Sequence, residues 1–286
     1  MAEKVKMRSK KGSGLVVQII LHTVMIVSLI MVLYPLAMMV FGAFKSGTEF
    51  SHNKWMPALP LRIANISESF SVLKGSLVRT AIVALLGIGG MVVISSMAAF
   101  AMAKLKFVGS KLCFSMVLAL TMMPGILSMT PQLILYQEIF GLRNNLLALI
   151  LPMWTGGCVF GVFLLSGFYG GMPNEFFEAA SLDGANEIQR YWLIAVPMSL
   201  PIIATMVIMQ ITNVWNDLIW PQMIMDRSNY TLAATLAVVF DELYKDDGAE
   251  TVKFAGYLVS SIPVVLLFIY FNRFYVEGLA SSGIKL

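Results

Sequence analysis

Six long apolar runs constrain this chain more than anything else in it. They lie near residues 15–44, 80–103, 111–139, 146–169, 193–220 and 254–271. A helix needs about 20 apolar residues to cross the hydrocarbon of a bilayer. The expected fold class is therefore an all-α integral membrane bundle with six transmembrane helices. The longest polar stretches, 45–79 and 221–253, leave no room for a soluble domain. Only 13% of the residues are charged, about half of the roughly one quarter usual in soluble domains. That excludes a disordered chain, a nucleic-acid-binding protein and most soluble enzymes.

Charge orients the runs. Residues 1–14 hold Lys4, Lys6, Arg8, Lys10 and Lys11 against Glu3 alone, a basic tail of the kind that stays in the cytoplasm. A cleaved signal peptide is the rival reading, but it is not expected, because the first apolar run is too long and no small-residue site closes it early. Lys104, Lys106 and Lys111 mark a second cytoplasmic turn. Six spans then bring both termini to the cytoplasm. The expected organisation is a tail at 1–14 and one six-helix domain at 15–286, with outer loops at 45–79 and 221–253. The segment 171–190 falls inside although it is acidic, with Glu175, Glu178, Asp183 and Glu187 against Arg190.

Most familiar chemistry is missing. No G-x-x-x-x-G-K-[ST] is present to cradle nucleotide phosphates, and Gly87, Gly89 and Gly90 read as packing glycines inside a span. His22 and His52 are the only histidines, which rules out zincin motifs and histidine-based triads. Cys113 and Cys158 lie in apolar runs without metal-ligand spacing. The acids Asp241, Glu242, Asp246, Asp247 and Glu250 lack the spacing of a calcium loop, so no metal site is expected. No span carries a relay of ionisable residues. The chain reads as a conduit driven from elsewhere, with no catalytic residue and no cofactor of its own.

The spans are not uniform. The third contains Pro124-Gly125 and Pro131 among Thr121, Ser128, Thr130 and Gln132, which suits a helix buried in the bundle or lining a path. Ser95, Ala99 and Ala103 form a small-residue stripe fit for close helix packing. Gln210, Asn213 and Asp217 are spaced i, i+3, i+7 in the fifth span. They either line a path, where amides and a carboxylate match hydroxyl groups, or bond between helices. Trp215 and Trp220 flank Asp217 as interface anchors.

Residues 172–201 are the most informative. Pro173 and Glu175 suit a helix start. Phe176, Ala179 and Ala180 share one face. Asp183-Gly184 ends the helix, with Gly184 free to take a left-handed conformation. A second helix begins near Asn186 and runs into the fifth span at Pro197. Exposed alanines would let another protein approach closely, and Glu178 could pair with a cation there. An amphipathic hairpin resting on lipid is the rival reading, but such helices are usually basic.

The segment resembles the EAA loop of ATP-binding-cassette importer permeases. Glu178-Ala179-Ala180, Gly184, Ile194 and Val196-Pro197 stand at that motif's spacing, with Val196 in place of leucine. The rest of the chain resembles the carbohydrate-uptake (maltose and oligosaccharide type) members. The matching elements are Phe41-Gly42-Ala43-Phe44-Lys45 after Tyr34-Pro35, Phe140-Gly141-Leu142-Arg143-Asn144-Asn145, Trp215-Asn216-Asp217 and Asn229-Tyr230-Thr231-Leu232. The tail from Gly278 to Lys285 departs at Gly283-Ile284-Lys285-Leu286. The resemblance implies a type I importer bundle with a cytoplasmic coupling helix in the loop 172–197. It implies ATPase docking through Glu178, Ala179, Ala180, Ser181, Asp183, Gly184 and Ala185, and a sugar path touching Gln210, Asn213 and Asp217. The implied partners are a second homologous permease in a heterodimer, two ATPase subunits that carry the ATP and magnesium, an extracytoplasmic solute-binding protein and membrane lipid. The implied place is a bacterial or archaeal cytoplasmic membrane. A secondary transporter would need coupling-ion ligands and usually an internal repeat. A membrane scaffold would not need kinked, polar-lined spans. A glycerol-phosphate cargo would favour basic residues in the path, and the spans contain none beyond Lys111 at the very start of the third.

Overall fold

The computed structural model describes residues 11–105, 107–246 and 249–283, with side chains at 14–105, 107–246 and 249–270. Lys4, Lys6, Arg8 and Lys10 of the basic tail, together with Lys106, Asp247 and the end of the chain from Ile284, lie outside them. Among the described residues the regular structure is entirely helical. Five helices among the described residues are long and apolar enough to cross a membrane: Gly14–Ala43, Ala64–Leu105, Leu147–Gly171, Glu187–Asn216 and Glu250–Tyr270. A sixth crossing requires Ser110–Thr121 and Ile126–Ile139 together, and these are bent by 101° at their break. The expected third span is thus broken at Pro124-Gly125, where proline removes a backbone donor. The chain falls into two compact units.

The first unit takes in the described residues to Ser69 and Lys245–Leu258. It holds α1 (Lys11–Ala43), α2 (Gly47–His52) and the starts of α3 (Ala64–Phe100) and α14 (Glu250–Gly283). From Gly14 to Leu36, α1 is exposed along its whole apolar surface, as a helix solvated by lipid would be. Its end is tied down by polar groups. The Asn65 amide donates to the carbonyls of Ala43 (3.0 Å) and Lys45 (2.8 Å), and Ser69 Oγ donates to Val252 O at 2.9 Å. Lys45 is fully buried and its ammonium donates to Asn53 O at 2.6 Å. Ser46 and Glu49 form a capping box on α2, and the bonds from Ser46 N–H and Oγ hold the Glu49 carboxyl below its usual range.

These contacts correct the reading of 45–79 as loop: from Ala64 onward it is helix. Its buried face is Asn65, Ser69, Leu73, Ser76 and Thr80, at helical spacing but mostly polar. Each polar group there serves a backbone partner, so burial is tolerated. Hydropathy alone reads such a face as loop.

The second unit covers Phe70–Tyr244 and the described residues from Val259. After α3 come α4 (Ser110–Thr121), α5 (Ile126–Ile134), α6 (Leu147–Pro152), α7 (Cys158–Gly171), α8 (Glu175–Leu182), α9 (Glu187–Arg190) and α10 (Val196–Asn216). Short helices α11 (Ile219–Ile224), α12 (Leu232–Ala234) and α13 (Asp241–Leu243) follow, so 221–253 is largely folded rather than a free loop. Turns of π-helix join α3 to the α4 region (Ala101–Leu105), α6 to α7 (Met153–Gly157) and α9 to α10 (Tyr191–Ala195). The core runs from Met91, Ala99 and Phe100 of α3 to Leu165 and Tyr169 of α7 and Met206 of α10. The helices pack closely where side chains are small. A Cβ on Gly161 would lie 2.8 Å from Ser95 Oγ and 3.0 Å from Met206 Sδ, so Ser95 does serve close packing. A Cβ on Gly90 would overlap the Trp154 indole, whose N–H donates to the carbonyls of Leu86 and Gly87.

Candidate functional site: an exposed hairpin and a polar cleft

The hairpin is α8, a turn and α9. Helix α8 ends in a Schellman motif: Gly184 N–H donates to Ser181 O (3.1 Å) and Ala185 N–H to Ala180 O (2.9 Å), with Gly184 at φ +84°. That φ is why glycine is needed there. Asn186 then caps α9 in a reciprocal box with Gln189. Arg190 donates to Ser181 Oγ at 2.8 Å and pairs with Glu187, closing the hairpin on itself. The acidity of the segment now has a cause beyond topology. Glu175 and Glu178 lie in the first turn of α8 and Glu187 in that of α9, where the helix dipole favours negative charge.

Glu178, Ala179, Ser181, Asp183 and Gly184 are exposed, while Ala180 and Ala185 are partly buried. Phe176, Leu182 and Ile188 are exposed beside them, at 51%, 90% and 69%, which gives the hairpin an apolar outer surface. Ser181 is engaged within the hairpin, its Oγ donating to Phe177 O as well as accepting from Arg190. The side chain that roots the hairpin is Phe177, not Phe176. Its ring packs on Phe100 of α3, which also meets Tyr169 and Tyr191. Lys104 lies 4.8 Å over the Phe177 ring and donates to Met172 O and Asn174 Oδ1. Beneath this, Ser96, Tyr191, Tyr169 and Ser199 form a chain of buried hydroxyl contacts of 2.5–3.3 Å joining α3, α7 and α10. None of these anchors follows from the motif; the spacing of Phe100 and Lys104 on one helix face was the available signal.

The cleft has a volume of about 940 Å³. It opens at the break between α4 and α5 and is lined by Ser128 and Gln132, by Thr155, and by the end of α10. Gln210, Asn213 and Asp217 all line it, so the structure brings the three together. The stripe is not one continuous helix, however. Helix α10 ends at Asn216, and Asp217 is its C-cap with extended backbone, its carboxylate 3.4 Å from Trp220 N. Asn213 donates to Gln210 Oε1. Thr231 was not anticipated. It is 2% exposed, lines the same cleft, and its Oγ1 finds no hydrogen-bond partner among the described residues. Asp217 is the one ionisable side chain of the lining, which holds no lysine, arginine or histidine among the described residues.

Two distant segments meet as a clasp. Asn144, at φ +55°, donates from its N–H to Ile224 O, and its Oδ1 accepts from Asp226 N–H and Asn229 Nδ2, both at 3.1 Å. Arg79 Nε donates to Tyr230 O, and Leu232 N–H donates to Thr80 Oγ1. The elements around Asn144 and Tyr230 singled out in the sequence therefore hold one another.

The family model described as "Binding-protein-dependent transport system inner membrane component" matches residues 91–279. A probable ABC transporter permease protein of Bacillus subtilis is 29% identical over 263 residues, covering 90% of this chain and 85% of that protein. An arabinooligosaccharides transport system permease protein of Halalkalibacterium halodurans is 33% identical over 198 residues, 67% of each chain. Among solved structures, a chain of a bacterial ABC transporter involved in the import of the acidic polysaccharide alginate superposes with a TM-score of 0.78. It is 19% identical and covers 94% of this chain and 98% of its own.

Proposed function

This chain belongs to the family of binding-protein-dependent transport system inner membrane components, and from that premise we propose that its cleft forms half of the path of an imported sugar, an oligosaccharide. The chain is a multi-pass permease subunit of an ATP-driven importer and not its ATPase. Its family works with an ATPase and a solute-binding protein.

The observation that carries the sugar reading is the lining of the cleft. Amides of Gln132, Gln210 and Asn213, hydroxyls of Ser128, Thr155 and Thr231 and one carboxylate, Asp217, face a space without a basic side chain. Such groups exchange hydrogen bonds with sugar hydroxyls, whereas an anionic cargo would call for a cation. The named cargo of the Halalkalibacterium relative agrees with this.

In this reading a second homologous permease completes the path. Two ATPases, holding ATP and magnesium, dock beneath, each gripping one hairpin of the kind at 172–197. Both termini lie in the cytoplasm, and the solute-binding protein delivers from outside. The hairpin presents Glu178, Ala179, Ser181, Asp183 and Gly184 to the ATPase, with Ala180 and Ala185 shaping its turn. When the ATPases close on ATP, they push a hairpin that cannot unfold easily. The push passes through Phe177 to Phe100, and from there to the helices that frame the cleft.

The test is purification of this chain from its native membrane in mild detergent, with the co-eluting proteins identified by mass, then reconstitution and uptake assays. An ATPase and a second EAA-bearing permease are expected to co-elute, and neutral oligosaccharides are expected to be carried in preference to uronate oligosaccharides or glycerophosphodiesters. Asp217→Ala is expected to raise the KM for sugar. A lone chain with no ATPase under several detergents overturns the assembly, and preferred uptake of an anionic cargo overturns the sugar reading.

A further inference from the structure

A second pocket of about 350 Å³ lies where the π turn after α3, the first turn of α4 and the last turns of α7 converge. Its apolar wall comes from Met102, Ala103 and Phe114. Gly167 and Gly170 also line it, and a Cβ on either would meet nothing within 4 Å.

Three kinds of donor border this space. Ser166 is 8% exposed, lines the pocket, and its Oγ has no hydrogen-bond partner among the described residues. Helical serines commonly give their proton to the carbonyl one turn back, as Ser95, Ser115 and Ser181 do here; Ser166 does not. Helix α4 begins after Gly109, which has no side chain with which to cap it, so the positive end of a 12-residue helix is left without a side-chain acceptor. Lys111, in that first turn, lines the pocket and adds an ammonium. A buried hydroxyl donor, an uncapped helix start and a cation together suit an anion with several acceptor oxygens. The apolar wall suits hydrocarbon.

The geometry points to a binding site for a phosphodiester anion borne on hydrocarbon, the headgroup phosphate of a membrane phospholipid. The pocket lies at the ends of three spans, near Leu105, Ser110 and Gly171, where headgroups are found. It is also next to the root of the hairpin, because Lys104 of the adjoining π turn holds Met172 O and Asn174. A lipid seated there would brace α7 against α4 directly above the hairpin. A soluble phosphate shares the anion chemistry but leaves the wall of Phe114 and Met102 unused.

The test uses the assembled importer in nanodiscs containing phosphatidylglycerol with a photoactivatable chain, and maps crosslinks to this subunit by peptide mass. Wild type is expected to crosslink saturably within 102–114 and 166–170, and unlabelled phosphatidylglycerol is expected to compete. Gly167→Leu, which fills the pocket, and Lys111→Gln are each expected to weaken that labelling by about tenfold. Ser166→Ala is expected to weaken it less, and Gly89→Leu, at an equally unobstructed glycine elsewhere, not at all. If Gly167→Leu fails to assemble, Lys111→Gln, at an exposed position, decides. Labelling unchanged in Lys111→Gln and Ser166→Ala overturns the site. Competition by inorganic phosphate as effective as that by the lipid overturns the lipid as its source.

Discussion

The hairpin at 172–190 and the clasp around Asn144 belong to one unit and are built in opposite ways. The bonds that shape the hairpin are local: Gly184 to Ser181, Ala185 to Ala180, Asn186 to Gln189, Arg190 to Ser181. Those of the clasp join residues 82, 85, 151 and 152 positions apart. A structure closed by local bonds keeps its shape when its surroundings shift, and so can be moved as a body. A structure closed by distant bonds keeps its surroundings from shifting. The first suits a part that receives a push, the second a part that holds still while others move.

The largest effect expected from breaking this contrast is that of Gly184→Pro. Proline cannot adopt φ +84° and has no N–H for Ser181 O. Sugar uptake should fall to background while membrane insertion stays normal. Normal uptake would remove the hairpin from coupling. Next comes Phe177→Ala, which removes the root and leaves the turn. It should cost about 3–5 kcal/mol of stability, read by thermal denaturation of the purified complex, and should lower sugar transported per ATP hydrolysed. An unchanged ratio would mean that the push bypasses Phe177.

Asn144→Ala should cost about 2 kcal/mol, from two lost hydrogen bonds, and speed hydrogen exchange across 224–232 while leaving exchange in 175–190 alone. Asn144→Gly keeps the backbone conformation and should lose less. Faster exchange in both regions would mean that they are not independent. The smallest effect is that of Asn186→Ala, about 1 kcal/mol for a lost helix cap, visible as faster exchange at the start of α9 with uptake reduced but present.

The same contrast explains what could be read beforehand. The helix, the stop at Asp183-Gly184 and the restart near Asn186 were legible because each rests on residues within one or two turns. Five of the expected crossings were legible because apolar length is a property of each run by itself, and the other is the run that breaks at Pro124-Gly125. Phe177, Lys104 and the hydroxyl chain through Ser96 were not, since what they touch lies elsewhere in the chain. The helical start of α3 was hidden because its buried face is built from Asn65, Ser69, Ser76 and Thr80, whose burial depends on backbone groups at 43, 45, 73, 232 and 252. Gln210, Asn213 and Asp217 do line one cleft, although the helix that carries the stripe ends one residue before Asp217.

Helix α3 carries both contrasted regions on one rod. Thr80 holds the clasp and Phe100 holds the hairpin, 20 residues apart in one continuous helix. At 1.5 Å per residue that is about 30 Å, the thickness of the hydrocarbon layer. A displacement delivered at Phe100 therefore needs no chain of side-chain rearrangements to be felt on the far side of the membrane. In the proposed coupling it arrives as tilt of a stiff strut whose other end is held at Thr80.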